Sequence, residues 1–555
     1  MRLVVVRGRY GSWSRGDLSR ERSDALQQAG RISPQVMESL STPERVETHL
    51  GTLEFPLGRP TDETADRVYD HLDHVQAVRG FLDAYSGVNM WAARRGFLEA
   101  GIRDHDVLLF SEFMDSETLV LTGNADTVYF ISFLDLTEGP LVVEIPPLSL
   151  CFVNDMWFRW VADPGMAGPD RGAGGKYLFV PPGYEGPLPE GGYFTQPTRT
   201  TRLLLGGRAF LERDDPKPAV ERIKEGLRIH RYVPGFLGTS IGEIVTGGTA
   251  PPSPWTAETW TAALRRADPP RFIEGTGLAV NTVPPADATY FDFASELVHD
   301  QPAEALDPEI AGALAAVGIA KGRPFQPDPR MRGILAEAAA VGNATARTLA
   351  FRPRPDEGAH FYGASSQWVN GLLVSGYDFM TPPPEITDRG VELRRSDGAR
   401  RLNLRNWWWY LGVGISPAFT APLPGIGSQY LFAFADRQDR ALDGGGHYRL
   451  VLPPDIPAAR FWSCTVYDNQ TRSMLSTPQR FPRAGSQDYP TPAAVADADG
   501  TTTVHFGPDR PDGVPEGNWI QTVPGKGWFV VLRFYSPLPP FFDRTWRPGE
   551  VEAVG

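Results

Sequence analysis

The tract Asn124-Ala125-Asp126-Thr127-Val128-Tyr129 places an amide, a carboxylate and a phenol directly before the apolar run Phe130 to Leu136. A polar group desolvated at the mouth of a buried strand needs a hydrogen-bond partner or a ligand. Asp126 and Tyr129 could act as base and proton donor, with Asn124 beside them to bind substrate. Asp126 could equally be a ligand anchor or the hydrogen-bonding latch of a tight turn. A second concentration spans Phe461 to Arg472. There Ser463, Thr465 and Tyr467 would share one strand face, a hydroxyl row able to hold a polyhydroxy ligand or simply to pack across strands. Tyr467 and Asp468 repeat the pairing of donor and base, and an Asx turn at Asp468 and Asn469 is the structural alternative.

Read as one strand, Cys151 to Val161 sets Asp155, Trp157 and Arg159 on one face. They form either a ligand wall in which Arg159 forks an oxyanion, or a surface ion pair. Lys176 lies in the Gly-rich turn Gly168 to Tyr177, which lacks the Gly-Lys-Ser/Thr ending of a phosphate loop. Arg159 or Lys176 would stabilise developing negative charge. Arg472, Arg480 and Arg483 crowd one loop region, either solvated or directed at an anion. Trp157, Trp462 and Trp519 are candidate stacking platforms. His71 and His74 stand one helical turn apart, but no thiolate pair or His-Glu-x-x-His accompanies them, so no metal is expected. Gly427-Ser428-Gln429 lacks the flanks of a nucleophile elbow, and no cofactor is expected either.

Positioning these residues calls for many short strands. Gly 58 and Pro 52 are spread along the chain, which favours frequent turns, and 555 residues suffice for roughly three to four compact units. The expected fold is mainly β with α segments, in several domains. Residues 1–45 read as a flexible tail, with Met37 an alternative start, and 46–115 as a helical segment. Within it Thr61, Asp62 and Glu63 form an N-cap and acidic first turn ahead of Val68, Leu72, Val75 and Leu82. Residues 116–235 form a first β domain with strands over Val128–Leu136, Leu141–Ile145 and Tyr177–Val180. Residues 236–350 form a helical middle, where Asp328 and Pro329 fit N-cap and N1. A connecting region, 351–440, leads to a C-terminal β-sandwich over 441–551. Trp407–Tyr410, Tyr430–Phe434, Phe461–Tyr467 and Trp528–Tyr535 read as strands.

The net charge of -13, without a basic cluster among aromatics, argues against nucleic acid and anionic membrane as partners. Cys151 and Cys464 sit in apolar strand-like settings and read as small buried hydrophobes. The start carries neither an export signal nor a spanning segment, so a cytoplasmic location is expected. The partner expected is a small-molecule ligand or substrate. A homo-oligomer is compatible with the Trp407-Trp408-Trp409 run, which is either interface or core.

The stretch Asn124 to Pro146, with Asn-x-Asp-Thr-x-Tyr, Leu134-Asp135-Leu136 and Gly139-Pro140, resembles the core of the bacterial domain-of-unknown-function family 1254. Phe461 to Asp468, Asn518-Trp519, and Leu532 to Pro537 through Asp543 to Pro548 resemble its C-terminal companion, family 1214. The similarity extends from about Val46 to Val551. It implies two jelly-roll-like β-sandwiches bridged by helical segments, and no settled activity. From the residues themselves, the expected function is a soluble enzyme, a hydrolase acting on a small oxygenated organic molecule by carboxylate and tyrosine acid-base chemistry. The alternatives are a non-catalytic binder of a carbohydrate-like or amphiphilic ligand, and a structural or assembly protein.

Overall fold

The apolar run after Asp126 becomes an inner strand of a six-stranded sheet. The computed structural model describes residues 33–189, 191–232, 267–355, 358–375, 385–387, 390–392 and 399–554. The strands of this sheet are β1 (Val107–Phe110), β2 (Val128–Asp135), β3 (Ser149–Asp155), β4 (Trp160–Ala162), β5 (Arg202–Ala209) and β6 (Phe272–Glu274). Their spatial order is β6-β1-β2-β5-β3-β4, antiparallel except where β6 meets β1. Gly206 and Gly207 of β5 face Phe152 and Phe130 on the neighbouring strands. Side chains there would collide with those rings, since a Cβ would stand 2.3 Å and 2.2 Å from them. The glycines therefore let both rings lie across β5. A four-stranded sheet built on Leu141–Ile145 and Gly175–Val180 completes this half.

The C-terminal half repeats the plan. Strands β7 (Trp368–Val369), β8 (Ser428–Ala433), β9 (Ala458–Asp468), β10 (Arg483–Gly485) and β11 (Gly527–Pro537) run in the antiparallel order β7-β8-β11-β9-β10. Tyr448–Leu452 and Thr502–Gly507 belong to a second sheet, and its Leu450 and Val504 share a core with Val530 and Leu532 of β11. The sheet thus takes β7 and β8 from the segment expected to be a connector. Helix and strand contribute 28% and 27%, so helices complete the cores as much as they connect them.

Helices α1 (Tyr85–Glu99), α2 (Thr289–Asp300), α3 (Pro329–Phe351) and α4 (Leu402–Leu411) supply that packing. Asp328 caps α3 as its sequence requires, its carboxylate accepting from Met331 N at 2.8 Å. The Trp407–Tyr410 run is helical rather than extended. All four residues are buried, and a segment apolar on every side shows no period from which helix and strand could be told apart. Trp409 stacks on Phe158 at 4.4 Å, so these tryptophans are core and not an exposed interface. The expected strand Cys151 to Val161 is also broken. It turns after Asp155, with Phe158 in the left-handed region at φ 54, and resumes at Trp160.

Packing separates a first unit ending at Leu72 from a second, Asp73–Gly555, which holds both β halves. In the first, Ser33 caps the helix Pro34–Leu40, so part of the expected tail, Met37 included, is helical. Thr61 accepts from Thr64 N at 3.2 Å where the helix Asp62–Asp83 opens. Residues 1–32 of the tail, and 236–266 of the expected helical middle, lie outside the described residues. Among the described residues, no helix is long and apolar enough to cross a membrane.

Candidate functional site

The two polar concentrations converge. Ahead of β2, Asn124 Oδ1 accepts from Asp126 N at 2.9 Å and from Thr127 Oγ1 at 3.3 Å, an Asx turn. This turn delivers the Asp126 carboxylate to the C-terminal sheet. Its Oδ1 accepts from Arg483 Nε at 2.8 Å, and its Oδ2 from Ser463 Oγ at 2.7 Å and Tyr535 OH at 2.8 Å. Asn124 Nδ2 donates to Tyr535 OH at 2.6 Å, and Tyr467 OH to the Gly123 carbonyl at 2.6 Å. Burial pushes the Tyr467 phenol up to about 12. Asp126 and Arg483 are both 0% exposed, so the arrangement is a dry clasp between the halves. With both oxygens engaged and no solvent contact, Asp126 is a latch and is not placed to take a substrate proton. Tyr467 is held in the same way.

Beside the clasp lies a cavity of about 110 Å³, walled by β2, β3 and β5 on one side and by β8 and β11 on the other. Ile131, Phe152, Leu204, Trp408, Phe432 and Val531 make its surface mostly apolar. The missing side chains at Gly206 and Gly207 leave room for it. Into this apolar space the sheets bring Arg208 and Arg533, which are 6% and 3% exposed, together with Tyr129 and Tyr430. Arg208 Nη2 donates to Ser428 Oγ at 3.2 Å, and Ser428 Oγ donates to Tyr430 OH at 2.7 Å. Arg533 Nη2 donates to the Thr122 and Gly123 carbonyls at 3.0 and 3.3 Å. Among the described residues neither guanidinium has an ion-pair partner, and Arg208 Nη1 and Arg533 Nε and Nη1 are buried without a hydrogen-bond partner. Burial opposes the charge on Arg533. The Asp126 carboxylate nearby favours it, and a guanidinium keeps its proton even when buried.

A smaller hollow of about 30 Å³ shares Arg208, Tyr430, Cys151 and Phe419 with this cavity and adds Asp163. Burial pushes the Asp163 carboxyl up to about 7, against the opposing pull of Ser416 and Trp160, and its Oδ1 has no partner. The thiols of Cys151 and Cys464, both free and buried, are likewise pushed up by burial.

Of the catalytic and substrate-binding candidates named from the sequence, Asn124 and Tyr129 reach the cavity wall. Asp155 closes the turn after β3, its Oδ1 accepting from Trp157 N and Arg159 N at 2.9 Å and its Oδ2 from Arg159 Nε at 2.6 Å. Asp468 makes the Asx turn, accepting from Gln470 N at 2.6 Å, and pairs with Lys526 at 2.8 Å. Lys176 faces Glu144 at 3.6 Å, and Arg480 faces Asp115 at 3.0 Å. Arg472 is buried over the Tyr410 ring, its Nη1 donating to the Gln470 carbonyl at 2.7 Å. Trp519 donates to the Gly507 carbonyl at 3.2 Å, and Trp462 is core. Sequence reasoning missed Arg208, Arg533, Tyr430 and Asp163. The available signal was a lone arginine inside each of two apolar strands, Leu203 to Ala209 and Trp528 to Tyr535.

Two β-rich halves, each with paired sheets and joined by a buried ion pair, define a two-domain protein with an arginine-bearing apolar cavity at the join. Residues 107–231 match the family described as protein of unknown function (DUF1254), and residues 427–539 match that described as protein of unknown function (DUF1214). The chain is a two-domain protein of these families. Among solved structures it is similar to the VPA0106 protein from Vibrio parahaemolyticus, at 17% identity and a TM-score of 0.47, over 87% of this chain and 100% of that one. It is also similar to a putative uncharacterized protein from Burkholderia cenocepacia, at 14% identity and a TM-score of 0.35, over 88% and 96% of the two chains. No curated protein matches the chain.

Proposed function

We propose that the protein binds a small amphipathic carboxylate in the cavity between its β halves. One observation carries this reading: Arg208 and Arg533 bring charge to the wall of an apolar cavity, and three of their guanidinium nitrogens have no hydrogen-bond partner among the described residues. A buried charge left uncompensated costs several kcal/mol, and a carboxylate would meet both the charge and the open N–H groups. Apolar cavities of about 150 Å³ take up benzene, so about 110 Å³ suits an acid smaller than a ring, with a short chain. We take both halves as jelly-roll-like sandwiches, a reading supported by the paired sheets of the C-terminal half. Such a frame would hold the arginines rigidly. Thermal shift and calorimetry with butyrate and isobutyrate, against the neutral amides of the same shape, test the proposal. The acids should stabilise the wild type, the amides should not, and Arg533→Met should abolish the difference. An equal response to acids and amides would reject it.

Asp163 favours a second reading, in which the bound molecule is a small ester or lactone and is hydrolysed. A buried carboxyl near 7, in a hollow that shares Arg208 and Tyr430, has the proton affinity of a general acid or base. The proton carriers would then be Asp163 and Tyr129, not Asp126 and Tyr467. Turnover of an ester and lactone panel, lost in Asp163→Asn with the fold intact, would support it. An inert wild type would end it.

A further inference from the structure

A second cleft, of about 380 Å³, is lined by Arg79, Arg159, Arg199, Arg400 and Arg405, in a chain whose net charge is -13. Its carboxylates are Asp83, Glu304 and Asp307, and two of them are already engaged. Asp83 serves both Arg79, at 3.3 Å, and Arg405. Asp307 caps the helix Pro308–Ala316, accepting from Glu309 N at 3.0 Å, so the positive end of that helix also lies at the cleft. Arg159 is gripped from one side by Asp155, and its Nη2 is buried with no partner. Arg199 is exposed and has no ion-pair or hydrogen-bond partner among the described residues. The Trp157 indole, 5% exposed in the cleft wall, keeps a buried Nε1 without an acceptor. Burial lowers the Arg405 guanidinium, Asp83 and then Asp307 oppose the shift, and Arg400 adds a smaller push in the same direction as burial.

We propose that this cleft binds a small polyanion carrying two or more phosphate or carboxylate groups. Five guanidiniums from four segments of the chain surround one space, which a single monoanion could not serve at once. Planar Arg forks suit both oxyanion types. The volume lies within the usual 300–1,000 Å³ of small-molecule sites. None of these residues borders the cavity of Arg208 and Arg533, so the inference stands apart from the proposed carboxylate site.

Calorimetric titration of the full chain with pyrophosphate and with citrate, at low ionic strength, tests it. Saturable binding of either probe is expected, weakened about tenfold or more by Arg199→Gln and by Arg79→Gln, both exposed positions that leave the core intact. Binding should survive in Arg533→Met. Preference for pyrophosphate would identify a phosphate ligand, and preference for citrate a polycarboxylate. Failure of both probes to saturate at about 10 mM, or binding untouched by both substitutions, would overturn the proposal.

Discussion

Cutting the Asp126–Arg483 pair tests whether the clasp holds the halves together. Both groups are 0% exposed and 2.8 Å apart, so neither can turn to water when its partner is lost. Asp126→Asn keeps the shape but leaves the guanidinium uncompensated, at a cost of about 3–5 kcal/mol. The bonds from Ser463 and Tyr535 lose their charged acceptor in the same step, and charge-assisted bonds are worth about 1.5–3 kcal/mol each. These contributions overlap, so the single variant should lose about 4 kcal/mol. Arg483→Met should cost a similar amount by stranding the carboxylate. The double variant carries neither charge and should cost less than the two singles summed, by at least about 2 kcal/mol. Urea unfolding followed by tryptophan fluorescence, with midpoints and slopes compared, measures all three. Singles that cost under about 1 kcal/mol, or a double equal to the sum, would refute the clasp.

Asp163 predicts a pH dependence. Its carboxyl is raised from 3.8 to about 7 by burial, so between these values the folded state holds a proton that the unfolded state has released. Its contribution to stability therefore falls as pH rises from about 4 to about 7 and is level above, a change of about 4 kcal/mol. Asp163→Asn should gain on wild type by up to that amount over this range, and a pH-independent difference would contradict the assignment. Gly206→Ala places a Cβ 2.3 Å from the Phe152 ring and should lower stability by about 1–3 kcal/mol in calorimetry, with a stability equal to wild type counting against the close approach. Trp409→Ala empties the space opposite Phe158 in the common core and should cost about 3–5 kcal/mol by denaturant titration. A cost below about 1 kcal/mol would show that the stack is dispensable.

Local chemistry made much of the fold legible. Asp328 could be read as a cap because its carboxylate reaches an N–H only three residues away. Val128–Asp135 and Leu141–Ile145 were readable because β-branched and aromatic runs bounded by turns have few other uses. The hairpin turn at Asp155 to Arg159 was missed because Asp155 acts on the backbone N–H groups of Trp157 and Arg159, which strand alternation does not register. The Trp407–Tyr410 helix was missed because burial on every side erases periodicity.

The sequence by itself determined where polar atoms would be stranded among apolar ones: at Asn124 to Tyr129, along Ser463 to Asp468, and at the lone arginines of two apolar strands. Only the tertiary structure decided which of them are satisfied. Arg483 lies 357 positions from Asp126 in the chain and yet neutralises it. Arg208 and Arg533, on facing sheets, have no ion-pair partner among the described residues and border a cavity. Ion pairs and hydrogen bonds depend on separations of a few ångströms, set by how the sheets and helices pack, and spacing along the chain carries no information about them.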